Sequence, residues 1–172
     1  MMLPKPIRNV PVQNTLNGLA PKFKAALLAM CDGVEKETGV RPLIFETLRT
    51  TARQRHIYGF GRTWDDGRGI VTHSRDADDS WHFEKFGLAA DLIHPALRWN
   101  APASFWVAIG KHAHLNGLTW GGDWDGNPAT RNGFTDVPHV QWGRCRRSPS
   151  PSARRIADDQ GTPALWREVG AA

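Results

Sequence analysis

The chain has 172 residues, is 40% hydrophobic, and carries a formal net charge of +5 with a pI near 9.7. A length of this order suits one domain that builds its own core without staples, and no apolar run approaches a transmembrane span. The positive charge permits attraction to a polyanion, but the basic residues before residue 144 are scattered. No helix-turn-helix or zinc-finger spacing appears, which argues against specific nucleic-acid recognition.

Residues 1–17 read as an extended lead-in with Pro4, Pro6 and Pro11, lacking the apolar stretch of a secretory signal. Pro21 stands at a first helical position, and Phe23, Leu27, Met30, Cys31 and Val34 then recur at threes and fours up to Thr38, where Gly39 ends the pattern. PLIFET, residues 42–47, is a short strand. Thr50 or Thr51 caps a helix over ARQRHIYGF. Residues 61–80, rich in glycine and aspartate, read as loop with a brief strand at Ile70–Thr72.

LAADLI, residues 88–93, reads as a buried strand. Pro102 begins a third helix whose apolar face is Phe105, Ile109, His112 and Leu115, ended by Asn116-Gly117. Leu118–Trp120 and HVQW, residues 139–142, are further strands on either side of a glycine- and asparagine-rich loop at 121–135. After Gly143, RCRRSPSPSARR reads as a basic linker, followed by a short helix around Pro163–Val169. Six arginines in 144–172 against Asp158, Asp159 and Glu168 give this tail a charge of +3. The pattern is α+β, with helices packed on a small, mainly antiparallel sheet. Residues 1–143 form the domain, and 144–172 are an appendage rather than a domain of their own. Cys31 and Cys145 match no metal or CxxC spacing and are expected to be free thiols.

One constellation carries chemistry. Asp91 interrupts an apolar strand, where a bare carboxylate is costly. A cation, an arginine partner or backbone amides would each satisfy it. His82 precedes that strand, and His139 opens another with Asp136 three residues before it. Two imidazoles and one carboxylate suit zinc with a fourth position left for water, and Asp136 is placed to take that water's proton.

Ser80, His82, Gly87, Ala89 and Asp91 resemble the SxHxxGxAxD motif of the zinc D-alanyl-D-alanine carboxypeptidase / L-alanyl-D-glutamate endopeptidase family, peptidase family M15. Asp136, His139 and Trp142 resemble its second motif. GLTWGGDW at 117–124, LRTTARQRHIYGFGRT at 48–63 and GIVTHS at 69–74 are similar to its phage-endolysin-type members. The likeness runs from about residue 20 to 143. One departure stands out: four residues, Phe83, Glu84, Lys85 and Phe86, separate the histidine from the glycine, where the family has two.

The resemblance implies a Hedgehog/DD-peptidase-like fold, zinc held by His82, Asp91 and His139, Asp136 as general base, and Arg49 as the cation at the scissile carbonyl. Arg62, Gln54, Ser80 and Trp124 are the candidate substrate-binding residues. Trp120, Trp124 and Trp142 wall a groove or belong to the core. The implied substrate is the peptidoglycan stem peptide, cut at L-Ala–D-Glu, with D-Ala–D-Ala carboxypeptidase action or a non-catalytic wall-binding role as alternatives. The chain is expected to act as a monomeric endolysin. It would accumulate in a host cytoplasm and reach the wall after release, its basic tail touching the anionic envelope.

Overall fold

A computed structural model describes residue 5, residues 10–124 and residues 135–172. Most of the lead-in before Val10, and most of the glycine- and asparagine-rich loop after Trp124, lie outside the described residues. In chain order the elements are α1 (Pro21–Thr38), β1 (Leu43–Glu46), α2 (Thr51–Tyr58), a 3-10 turn at Ala77–Asp79, β2 (Ala89–Ile93), α3 (Ala103–Leu115), β3 (Leu118–Trp120), β4 (His139–Trp142), α4 (Pro151–Gln160) and α5 (Thr162–Glu168). The fold is α+β, with helices on a small antiparallel sheet of strand order β1-β2-β4-β3. No described helix is long and apolar enough to cross a membrane.

The helix α1 buries Phe23, Leu27, Met30, Cys31 and Val34, the face that its periodicity predicts. Each large apolar side chain so buried stabilises the fold by roughly 2 kcal/mol. Gly39 closes the helix in the left-handed region at φ 76°, its N–H donating to the Glu35 carbonyl. Thr50 caps α2, its hydroxyl accepting from the Arg53 N–H. Against these lie Leu88, Ala89, Ala90 and Leu92 of the β2 region, and Phe105, Trp106, Ile109 and Ala113 of α3, in one core.

Three expectations are corrected. Ile70–Thr72 forms no strand: Ile70 is 53% exposed, and the segment finds no neighbouring strand to supply a ladder. Leu115 is 70% exposed, so the buried face of α3 is rotated toward Trp106 and Ala113. Residues 144–155 are not a linker throughout. Ser150 caps α4 by accepting from the Ala153 N–H, with Pro151 in the first turn. Both C-terminal helices dock on the core, burying Ala153, Ala157 and Leu165, and Ala171 after α5 is buried with them.

The sheet register sets the site. Glu46 of β1 lies opposite Asp91 of β2, and Asp91 lies opposite His139 of β4, so three chemically active residues form one row across three strands. His82 approaches this row from the loop before β2. Gly87 permits that entry: its φ is +60°, and a β-carbon there would fall on the Gly18 carbonyl oxygen.

Candidate metal centre in an open cleft

His82 Nε2 stands 3.1 Å from Asp91 Oδ1 and 3.1 Å from His139 Nδ1, and His139 Nδ1 is 3.3 Å from Asp91 Oδ1. These are the only three residues among those described whose His, Cys, Asp or Glu donor atoms converge closely enough to hold one ion. Ligands about 2.0–2.2 Å from a tetrahedral zinc are separated by about 3.3 Å from one another. The triangle therefore has the size of three corners of a zinc tetrahedron.

The outward sides of both imidazoles fix which nitrogen carries the lone pair. His82 Nδ1 can only donate to the Thr47 carbonyl, 2.9 Å away, so Nε2 faces inward as an acceptor. Thr47 is itself pinned by the lead-in: its N–H donates to Gln13 O and its hydroxyl to Thr15 O. Gln141 donates through Nε2 to Arg146 O at 2.8 Å, which turns its Oε1 toward His139 Nε2 at 2.9 Å. His139 therefore presents Nδ1 inward. Two lone pairs and a carboxylate oxygen face one another, an arrangement that requires a cation or a proton between them.

Without a metal, protons on the imidazoles meet this need: burial alone would raise the Asp91 carboxyl, yet the nearby charge of His82, with hydrogen bonds from both protonated histidines, holds it well below the ordinary carboxylate range. Burial would lower His139, but Asp91, then Asp136 and Gln141, raise it. Asp136 is pushed above its ordinary value, first by burial and then by the charge of Asp91.

Behind Asp91 lies a buried ionic network. Arg49 Nη2 donates to Asp91 Oδ2 at 3.2 Å and, with Nε, to Glu46 Oε2, while Nη1 donates to Gln54 Oε1 at 3.2 Å. Arg53 Nε donates to the other Glu46 oxygen at 2.9 Å. The sequence reading missed Glu46, Arg53, Thr47 and Gln141. For Gln141 a signal existed, since it stands two residues from His139 on the same face of β4. The others become visible only through register and docking.

The triad opens into a cleft of about 1010 Å³ lined by Glu46, Arg49, Arg53, Ser80, His82, Asp91, Trp124, Asp136, His139 and Arg147, with Phe45, Val71 and Trp99 giving an apolar wall. Ser80 lines the cleft, and its hydroxyl accepts from the His82 N–H. Trp124 lies 5.4 Å from His139, ring to ring, and the Arg147 guanidinium lies 5.1 Å from the centre of the Trp124 ring. Asp136 reaches the cleft because its N–H donates to Gly121 O and its carbonyl accepts from the His139 N–H. Gly121 allows this approach, since a β-carbon there would meet the Asp136 carbonyl.

Gln54 and Arg62 are not brought to the cleft wall. Gln54 is fully buried and ties α2 to the Ser74 carbonyl and to Arg49. Arg62 stacks on Tyr58 and donates to the carbonyls of Tyr58 and Thr72. Both hold the loop that borders the cleft. Trp120 is core, its indole N–H donating to Val137 O.

No protein-family profile matches the chain. It is 27% identical over 146 residues to the peptidoglycan L-alanyl-D-glutamate endopeptidase CwlK of Bacillus subtilis (strain 168), spanning 78% of each chain. Among solved structures it is similar to the L-Ala D-Glu endopeptidase ChiX of Serratia marcescens, at 22% identity over 74% of this chain and 82% of that one, with a TM-score of 0.47. It is also similar to the vancomycin-resistance D,D-pentapeptidase VanY, in a complex with Zn(II), at 16% identity over 94% and 93% of the two chains and a TM-score of 0.47.

Proposed function

We propose that this chain is a zinc peptidase of the D-alanyl-D-alanine carboxypeptidase / L-alanyl-D-glutamate endopeptidase family, and that it hydrolyses the stem peptide of bacterial peptidoglycan. The convergence of His82, Asp91 and His139 at one edge of an open cleft that also holds Asp136 carries this reading. The likeness to the Bacillus endopeptidase supports the substrate class. That likeness and the motif resemblance also favour the L-Ala–D-Glu bond.

His82 Nε2, His139 Nδ1 and Asp91 Oδ1 would hold zinc, which when bound supplies Lewis-acid polarisation of a carbonyl and acidifies a water. The chain's own residues do the rest. The Asp136 carboxylate takes a proton from the attacking water and returns it to the leaving amine, and its raised pKa suits a base that must also act as an acid. Arg49 fixes Asp91 through Oδ2 and adds positive charge beside the cleft, where negative charge develops on the substrate carbonyl oxygen. Ser80 and Trp124 contact the bound peptide, which an open groove accepts more readily than a sealed pocket would.

The finer biological reading is an endolysin, monomeric, held in a host cytoplasm and acting on the wall after release. The exposed Arg144, Arg146 and Arg155 of the C-terminal segment would meet the anionic envelope.

Incubating zinc-loaded protein and an Asp136→Asn variant with purified stem peptide, followed by mass spectrometry, tests the reaction. New L-Ala and D-Glu termini in the wild type, reduced about 10²–10⁴-fold in the variant at equal zinc content, are expected. Loss of a terminal D-Ala instead would move the specificity to carboxypeptidase. Zinc uptake without any cleavage would leave a wall-binding protein on the same scaffold.

A further inference from the structure

The four residues between His82 and Gly87 turn back on themselves: Phe83 N–H donates to Ser80 O, and Phe86 and Gly87 N–H both donate to Phe83 O. Among the described residues no backbone amide takes the carbonyls of Lys85 and Phe86. The C-terminal helix takes both. The Thr162 hydroxyl donates to Lys85 O at 2.8 Å, and the Trp166 indole N–H donates to Phe86 O at 2.7 Å. The Lys85 ammonium also pairs with Asp158 of α4 at 2.8 Å.

The same C-terminal segment grips the other flank of His82. Arg154 Nη2 pairs with Asp79 at 2.6 Å and Nη1 lies 3.6 Å from Asp78, both in the 3-10 turn that leads into Ser80. The Trp81 indole N–H donates to Arg146 O, the carbonyl that also anchors Gln141 behind His139. Chain neighbours on both sides of one candidate ligand, and the partner of another, thus depend on residues 144–172.

We propose that residues 144–172 are a positioning brace for the metal centre, with Arg154 and Trp166 as the positioning residues, and that this brace is what lets a four-residue turn follow His82. The inference rests on the metal-site reading above but not on which bond is cut. Arg154 and its acidic partners are each about one-third to one-half exposed, so the pairs contribute little to global stability. Their effect is local: they limit the positions open to a ligand whose orientation governs metal affinity.

The test uses the full chain carrying Arg154→Ala, Trp166→Phe, or the conservative Arg154→Lys. Zinc affinity is read by competition with a chromophoric chelator, and amide hydrogen exchange is read on metal-free protein. Arg154→Ala and Trp166→Phe should weaken zinc binding about tenfold and speed exchange across residues 79–87, with the melting temperature nearly unchanged in Arg154→Ala and Arg154→Lys largely restoring affinity and exchange. Wild-type affinity and exchange in folded variants would overturn the brace, as would exchange that rises uniformly over the whole chain. If the wild type takes up no zinc, the metal reading fails, and exchange at 79–87 alone decides the brace.

Discussion

The inward nitrogens of His82 and His139 face each other at 3.1 Å, and each ring is turned that way by an acceptor on its far side. Thr47 O does this for His82 and Gln141 Oε1 for His139. The centre is preorganised from behind.

Gln141→Leu removes the acceptor that holds His139 and leaves Arg146 O without its amide partner. Zinc affinity should fall about 10- to 100-fold, as is usual when a ligand's hydrogen-bonded partner is lost, while the far-ultraviolet circular dichroism stays native. Chelator competition gives the number. Unchanged affinity would mean that Gln141 does not orient the ring.

Glu46 is 2% exposed and divides its two oxygens between the buried guanidiniums of Arg49 and Arg53. Glu46→Gln would leave Arg49 with Asp91 as its remaining carboxylate partner and take from Arg53 the carboxylate it is paired with. A loss of about 3 kcal/mol is expected, or a melting temperature lower by about 10 °C for a chain of this size. Urea and thermal unfolding of the metal-free protein check it, and a shift within about 0.5 kcal/mol would contradict it.

Gly87→Ala places a β-carbon on the Gly18 carbonyl at a left-handed φ. The conformational penalty alone is about 1–2 kcal/mol, and the overlap with backbone adds to it. The variant should unfold at distinctly lower urea. If it keeps wild-type stability, the loop after His82 must be able to enter β2 another way.

Burial pushes the Cys31 thiol up to about 11 and the Cys145 thiol up to about 12. A raised thiol pKa means less thiolate at a given pH, so at pH 8 roughly one Cys31 in a thousand is reactive. Alkylation should be slow in the native chain, accelerate as pH rises, and reach two thiols per chain in denaturant. Rapid native labelling at pH 8 would show that one of these sites opens readily.

Much of this protein was determined locally. The repeat of Phe23, Leu27, Met30, Cys31 and Val34 specified α1 because a helix brings every third and fourth residue to one face. Thr50 and Thr51 marked the start of α2 because a threonine hydroxyl can take an orphan N–H, and the structure gives that role to Thr50. The metal candidates were legible because Asp91 has no reason to stand in an apolar strand without a partner. What only the tertiary structure decided depends on which segments meet. Ile70–Thr72 has strand-forming residues but no neighbour to pair with, whereas SPSARR has linker composition but becomes helical once Ser150 caps it and Ala153 and Ala157 find the core. The row Glu46–Asp91–His139 exists through strand register, and Gln54 and Arg62 turned inward to backbone carbonyls rather than to the cleft. Local periodicity sets which face of an element is apolar. Register and docking set which polar side chains must satisfy one another, and those are sums over residues far apart in the chain.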